Sequence, residues 1–428
     1  MPSNSNTSIW RRILSIIDKT MTFKPGGKHI ELCQFQHRGP PVFTRNFKLI
    51  LITNVILSTA MPMLVLLGAL AGAALSPVAY AATIPPSVQI LAAVLAAAPM
   101  SLYMGRVGRK KGFVLAAVLL AAGGLLGVFA MILQHFILLC IAHFVMGAAF
   151  VGINFLRFAA AEAVSGRWTS NAISFTLASG LIAAFIGPEV FSATKDMLPS
   201  GAYAGAYAAI AVLGSFGVFP ILALRGLPPV AKEGGVKGRA YALFMRPKIA
   251  IAVAGAAVSQ AVMALLMTPT ALAMVGCGFA EDQAADVIKW HVVAMFAPGF
   301  FTGALIQRFG VMVIISTGML ALAAAAMFAM AGLALWQFYL SLILTGLGWS
   351  FGYIGSTSLL QSTLTPAERP LVQGANDTLI AVASSVASLV SGVLYFSVGW
   401  AALAASVLPL IALALLFLAW HVRPAKSP

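Results

Sequence analysis

The chain has 428 residues, 61% of them hydrophobic and only 9% charged, with a mean hydropathy of +0.97. A water-facing surface needs about a quarter charged residues, so a soluble globular protein is excluded. Apolar runs of bilayer-spanning length recur from Leu49 to Trp420, and they lack the apolar/polar alternation of a membrane β-barrel.

The 26 basic residues exceed the 11 acidic ones, a net charge of +15. They sit mostly in the gaps between apolar runs, which reads as membrane topology and implies no nucleic acid. Cys33, Cys140 and Cys277 are far apart, so neither a disulfide framework nor a zinc site is encoded.

The tail, residues 1–48, has no apolar core followed by a cleavage site, so no secretory signal is expected. Ile9, Trp10, Ile13, Leu14 and Ile17 share one face of a short helix beside Arg11, Arg12 and Lys19, a pattern that suits the membrane surface. His29, Cys33 and His37 show no recurring ligand spacing.

Twelve spans follow, near 49–74, 85–104, 113–133, 136–157, 171–192, 202–224, 249–275, 285–306, 311–332, 335–360, 374–397 and 400–420. The even count puts both termini on one side. Arg106, Arg109, Lys110 and Lys111 follow span 2, and six more basic residues follow span 6, whereas only Lys195 and Lys289 fall opposite. The positive-inside rule therefore makes the termini cytoplasmic. The linker 225–248 separates an N-terminal bundle, 49–224, from a C-terminal bundle, 249–420, with a short tail at 421–428.

Ionisable residues within spans are costly and mark candidate sites. His143 in span 4 suits a hydrogen bond across helices or a ligand role, while Glu189 and Asp377 lie near helix ends, where carboxylates cap or face the interface. Glu281, Asp282 and Asp286 form an acidic cluster ahead of span 8, expected to concentrate cations at a cavity mouth. No nucleophile and base pair up in the spans, so an enzyme is not expected.

Span 7 carries Met263 and Met267, and span 8 carries His291 and Met295, each pair four residues apart on one helix face. Opposite chain directions would set Met267 beside His291 and Met263 beside Met295, a ladder of soft ligands suited to Cu(I). Methionine as apolar filler is the plain alternative.

An internal repeat links the halves. Gly105-Arg-Val-Gly-Arg-Lys-Lys111 follows span 2 and Gln307-Arg-Phe-Gly310 follows span 8, so Arg106 superposes on Arg308 at an offset of 202 residues. The same offset carries Met61 onto Met263, which makes Met61 a further candidate thioether.

These residues resemble the cytoplasmic signature of the major facilitator superfamily, Gly-x-Leu-x-Asp-Arg-x-Gly-Arg-Lys, through Arg106, Gly108 and Arg109 and, in the weaker second copy, Arg308 and Gly310. Ser101 and Gly105 depart from it, standing where the signature has glycine and aspartate. The resemblance implies an all-α membrane protein of twelve transmembrane helices in two six-helix bundles, a cavity lined by helices 1, 4, 7 and 10, and alternating access.

The paired motifs of spans 7 and 8, with Met295-Phe-Ala-Pro298 leading into the second signature, resemble the CcoA-like transporter branch. That resemblance implies copper import across the bacterial cytoplasmic membrane for cytochrome oxidase assembly. It further implies copper-binding roles for Met263, Met267, His291 and Met295 and a functional thiol at Cys277. Copper is then cargo, with no resident cofactor, and the expected carrier is a monomer. The same branch contains riboflavin importers, a reading that calls for cavity aromatics and hydrogen-bonding groups such as Asn154, Gln260, Trp349, Tyr353 and Gln361. A general exporter would instead need a roomy apolar cavity.

Overall fold

The computed structural model describes residues 44–164, 169–199, 201–226, 243–365 and 368–422. The expected surface helix of the tail, with Cys33, His29 and His37, lies outside the described residues, as does most of the linker, 227–242.

The described residues are helical and contain no strand. In chain order the spans are α1 (Arg45–Leu75), α2 (Ala79–Val107), α3 (Arg109–Ile132), α4 (Phe136–Ala160), α5 (Thr169–Thr194), α6 (Ala204–Leu222) and α7 (Pro247–Gly276). There follow α8 (Glu281–Phe296 with Gly299–Phe309), α9 (Val311–Met330) and α10 (Leu335–Thr363). The last helical stretch, Arg369–Val422, is broken at Gly399, whose φ of 81° ends one helix and starts the next. Its arms are α11 (369–398) and α12 (400–422), which completes the twelve expected spans among the described residues.

The repeat proposed from sequence is visible in the backbone. Gly108 has φ 91° and ψ 154° between α2 and α3, and Gly310 has φ 87° and ψ 149° between α8 and α9. Both close one helix and open the next at a conformation essentially restricted to glycine. The arginines before them, Arg106 and Arg308, are exposed, while Arg109 is buried and its guanidinium pairs with Glu162 at 2.5 Å. With Gly105 in place of the signature aspartate, the carboxylate at the end of α4 supplies the counter-charge.

The helices pack in the same pattern in each half: α3 against α4 and α6, α2 against α4, and correspondingly α9 against α10 and α8 against α10. Across the halves α5 packs on α8, and α2 meets α11, where Ser87 and Ser388 hydroxyls lie 2.8 Å apart. Lipid offers apolar groups no reason to leave it, so such contacts rest on close fit and small residues. Gly147 of α4 sits against the Gln89 carbonyl and Ala92 of α2; Gly346 of α10 sits against the His291 carbonyl and Ala294 of α8. Gln89 and His291, like Ala92 and Ala294, are 202 residues apart, the offset of the signature.

Candidate functional site

Four spans carry a local irregularity, slight in α1 and α4, where Thr59 and Phe155 keep helical dihedrals, and sharpest in α8. It falls at Thr59 in α1, at Phe155 in α4 and at Thr268–Pro269 in α7, and α8 bends by 44° between Phe296 and Gly299. Three of the four have a proline within three residues, Pro62, Pro269 and Pro298, which removes a backbone donor and collides with the preceding turn. Irregular backbone inside a bilayer is tolerated where it faces a cavity. Each irregularity here does so: a cavity of about 400 Å³ is lined by Ser58 and Met61 of α1, Asn154 and Arg157 of α4, Met267 and Thr268 of α7, and Met295 and Phe296 of α8.

Further walls come from α2 (Gln89, Ile90, Ala93), α5 (Thr176, Gly180) and α11 (Ser384). The cavity helices implied by the superfamily resemblance are thus met by α1, α4 and α7. No α10 residue is among the lining, because Trp349 of α10 stands one layer back and donates its indole N–H to Gln260 Oε1 at 2.7 Å. Trp349 stacks on Tyr353 at 5.0 Å and meets Phe296 edge-on at 6.4 Å. Tyr353 and Gln361 are likewise absent from the lining.

The thioethers of Met61, Met263, Met267 and Met295 converge on this one cavity. His291 does not. Its side chain is wholly buried, with Nδ1 2.7 Å from the Leu342 carbonyl of α10, and it is not part of the lining. The two-rung ladder does not form, because the methionine-bearing part of α7 packs on α10 and α11, and only the short segment Thr270–Gly276 packs against α8. Cys277 caps the end of α7, exposed and away from the cavity. Among the described residues no three His, Cys, Asp or Glu side chains cluster as a metal site.

His143, which the sequence left open, bridges three helices of the first half: Nδ1 lies 2.9 Å from Gln89 Oε1 and Nε2 2.8 Å from the Tyr207 hydroxyl. Gln89, which the 202-residue offset carries onto His291, is thereby held at the cavity, whose wall it lines.

The acidic cluster is engaged in ion pairs. Lys195 pairs with Glu281 at 3.0 Å and Asp282 at 3.5 Å, and Lys289 pairs with Asp286 at 2.8 Å and Glu189 at 2.6 Å. Two lysines thus meet five carboxylates, Glu189, Asp196, Glu281, Asp282 and Asp286, so the face keeps an excess of negative charge although each lysine is paired. The pairs join α5 to α8, beside Phe185 edge-on to Trp290 at 6.2 Å. At the face carrying the basic loops, the ion pairs among the described residues stay within one half: Arg109 with Glu162, and Arg246 with Glu368. Among the described residues the direct ion pairs that bridge the two halves lie at the face opposite the basic loops, while at the basic-loop face Arg157 of α4 and Asp377 of α11 interact across the halves through charge without a direct pair.

This chain is 35% identical over 384 residues to the riboflavin transporter RfnT of Brucella anthropi, covering 89% of this chain and 96% of that one. It is 28% identical over 321 residues to YdeG of Bacillus subtilis, an uncharacterised MFS-type transporter, covering 70% and 75% respectively. The chain belongs to the major facilitator superfamily. The transporter shares its fold with the nucleoside transporter NupG, at a TM-score of 0.71 and 14% identity over 88% of this chain and 98% of that one. It also matches the xylose transporter XylE of E. coli in a partially occluded inward-open conformation, at a TM-score of 0.68 and 14% identity over 90% and 100%. No family profile matches the transporter. It is a multi-pass membrane protein and a secondary transporter, similar to carriers.

Proposed function

We propose that this transporter imports riboflavin across a bacterial cytoplasmic membrane by alternating access, with the basic loops and both termini cytoplasmic. The observation that carries the reading is the 35% identity to a riboflavin transporter along 96% of that protein's length. The cavity supports it. Its volume of about 400 Å³ lies within the ~300–1,000 Å³ typical of small-molecule sites, and a single ion needs far less. Phe150, Phe296 and the methionines offer flat apolar surface to a tricyclic ring, while Gln89, Asn154, Gln260 and Ser384 offer hydrogen bonds to ring carbonyls and ribityl hydroxyls. Both halves of one chain supply the walls, which suits a monomer with no resident cofactor.

Copper import is the second reading, and one observation favours it: four thioethers, including Met61 from the other half of the chain, line the same space. The imidazole that would complete the expected ligand set is turned toward α10. The test is uptake of labelled riboflavin set beside labelled copper, in cells lacking both activities and expressing this chain. Riboflavin accumulation alone supports the proposal, and copper accumulation alone overturns it.

A further inference from the structure

We infer that Gln260 and Gln89 are the specificity-determining pair of the cavity, oriented carboxamides that select a planar heteroaromatic ligand by the carbonyl oxygens and N–H on its edge. This rests on the flavin reading and names the groups that recognise the ring.

Gln260 is the fixed member. An indole N–H can only donate, so the atom 2.7 Å from Trp349 Nε1 must be the amide oxygen, and the side chain cannot be turned over. Trp349 is itself immobilised between its stacking partner Tyr353 and the edge of Phe296. The Gln260 NH₂ is therefore held at the cavity wall as a donor. Its one protein contact, Ser384 Oγ at 3.5 Å, is at the limit of a hydrogen bond. Phe296 lines the same cavity and, like Gln260, touches Trp349, so a ring lying against that aromatic face would bring its periphery toward the Gln260 amide.

Gln89 comes from the other half of the chain and is held in an analogous way. Its Oε1 lies 2.9 Å from His143 Nδ1, and His143 Nε2 lies 2.8 Å from the hydroxyl of Tyr207; both rings are wholly buried. When Tyr207 donates to Nε2, the neutral imidazole carries its hydrogen on Nδ1 and donates to Gln89 Oε1. The Gln89 NH₂ then has no acceptor among the described residues and can meet only water or ligand. The other tautomer of His143 pairs with a turned-over amide and presents an oxygen, so Gln89 adapts where Gln260 does not.

A fixed donor from one half and an adaptable amide from the other suit a ring edge that alternates carbonyl oxygens with an N–H, such as the pyrimidine edge of an isoalloxazine. They offer nothing to a bare soft cation or to a lipophilic compound without acceptors. A site built to hydrogen-bond its ligand discriminates strongly, because a mismatch leaves a desolvated polar group unpaired.

The experiment is riboflavin binding to the purified full-length transporter, read by quenching of flavin fluorescence. Gln260→Glu keeps shape and leaves Trp349 an acceptor, but replaces the donor with an oxygen; binding is expected to weaken at least about tenfold. Trp349→Phe removes the constraint and keeps the donor, so a smaller loss is expected. If Gln260→Glu does not accumulate, Gln260→Met, apolar and of similar length, replaces it with the same expectation. A parent protein that binds riboflavin while Gln260→Glu and Gln89→Glu bind within twofold of it overturns this inference and leaves the flavin reading standing. A parent protein that binds no riboflavin overturns the flavin reading itself.

Discussion

The Lys195 ammonium lies 3.0 Å from the Glu281 carboxylate, joining the end of α5 to the start of α8 across the two halves of the transporter. Glu281 also accepts from the Tyr203 hydroxyl at 2.5 Å, and Asp282 is 3.5 Å from the same ammonium. Alternating access requires such pairs to part when the opposite state forms, so their strength sets the balance between states. In the proposed orientation, with the basic loops cytoplasmic, these pairs would close the outer side.

Weakening that bridge is expected to open the outer side. In a Cys277→Ser background, Met267→Cys places a thiol on the cavity wall, and adding Glu281→Gln should raise its labelling by a membrane-impermeant reagent several-fold. Unchanged labelling would remove Glu281 from the closing contacts.

The bridge should be insensitive to pH over the physiological range. Burial lowers the Lys195 pKa, but the hydrogen bond and charge of Glu281, with Asp282 and Asp196, outweigh it and raise the value above 10.5. A raised lysine stabilises below its ordinary pKa, and that contribution is lost only as pH climbs through the raised one. Labelling of the same thiol, taken relative to the Lys195→Met background so that the thiol's own ionisation cancels, is therefore expected to be constant from about pH 6 to 9 and to change only in stronger alkali. A rise between pH 7 and 8 that disappears in Lys195→Met would contradict this.

His291→Ala is expected to act on stability. The side chain is fully buried and bonded to Leu342 O, so truncation leaves a void and removes that second contact of a carbonyl already bonded within its helix, at a cost on the order of 2 kcal/mol. Met263→Leu, at the cavity wall, keeps volume and should not lower the melting temperature. Equal melting temperatures for the parent and His291→Ala would mean that the imidazole is not a structural strut.

The sulfurs separate the two cargo readings. Met61→Leu with Met263→Leu preserves apolar surface, so riboflavin uptake should stay within about twofold of the parent, a volume-conserving exchange costing little. Copper uptake, were it the activity, would be lost with the soft donors. Loss of riboflavin uptake in a well-accumulated double variant would tie the thioethers to the ring.

Gly346→Ala should disturb the α8–α10 contact, since a Cβ there would meet the His291 carbonyl oxygen at 2.6 Å and Ala294 Cβ at 2.9 Å. Backbone cannot swing aside as a long side chain does, and a cost of about 1–3 kcal/mol follows. Gly303→Ala, with open space around it, is the control expected to leave the melting temperature unchanged.

The sequence by itself determined what depends on the chain's local dealings with the bilayer. Run lengths determined the twelve spans, because backbone inside lipid must bond within its own helix. The 202-residue offset located the paired left-handed glycines, Gly108 and Gly310, because a tight turn between spans demands a conformation that side chains resist. The spacing and the offset mark Met61, Met263, Met267 and Met295 in the sequence, and all four line one cavity.

Which way each polar residue turns was decided only by tertiary structure. His291 and Met295 are one turn apart on α8, yet Met295 reaches the cavity and His291 is enclosed. At the level of His291, Gly346 lets α10 approach the helix backbone, and Glu189 with Phe185 of α5 closes over the neighbouring Lys289 and Trp290. The pairing of Lys195 with Glu281, and of His143 with Gln89, likewise spans separations of 86 and 54 residues. A membrane helix is apolar all round, so periodicity that would tell core from surface in a water-soluble helix carries no such information here, and only the close fit of neighbouring helices settles which face looks inward.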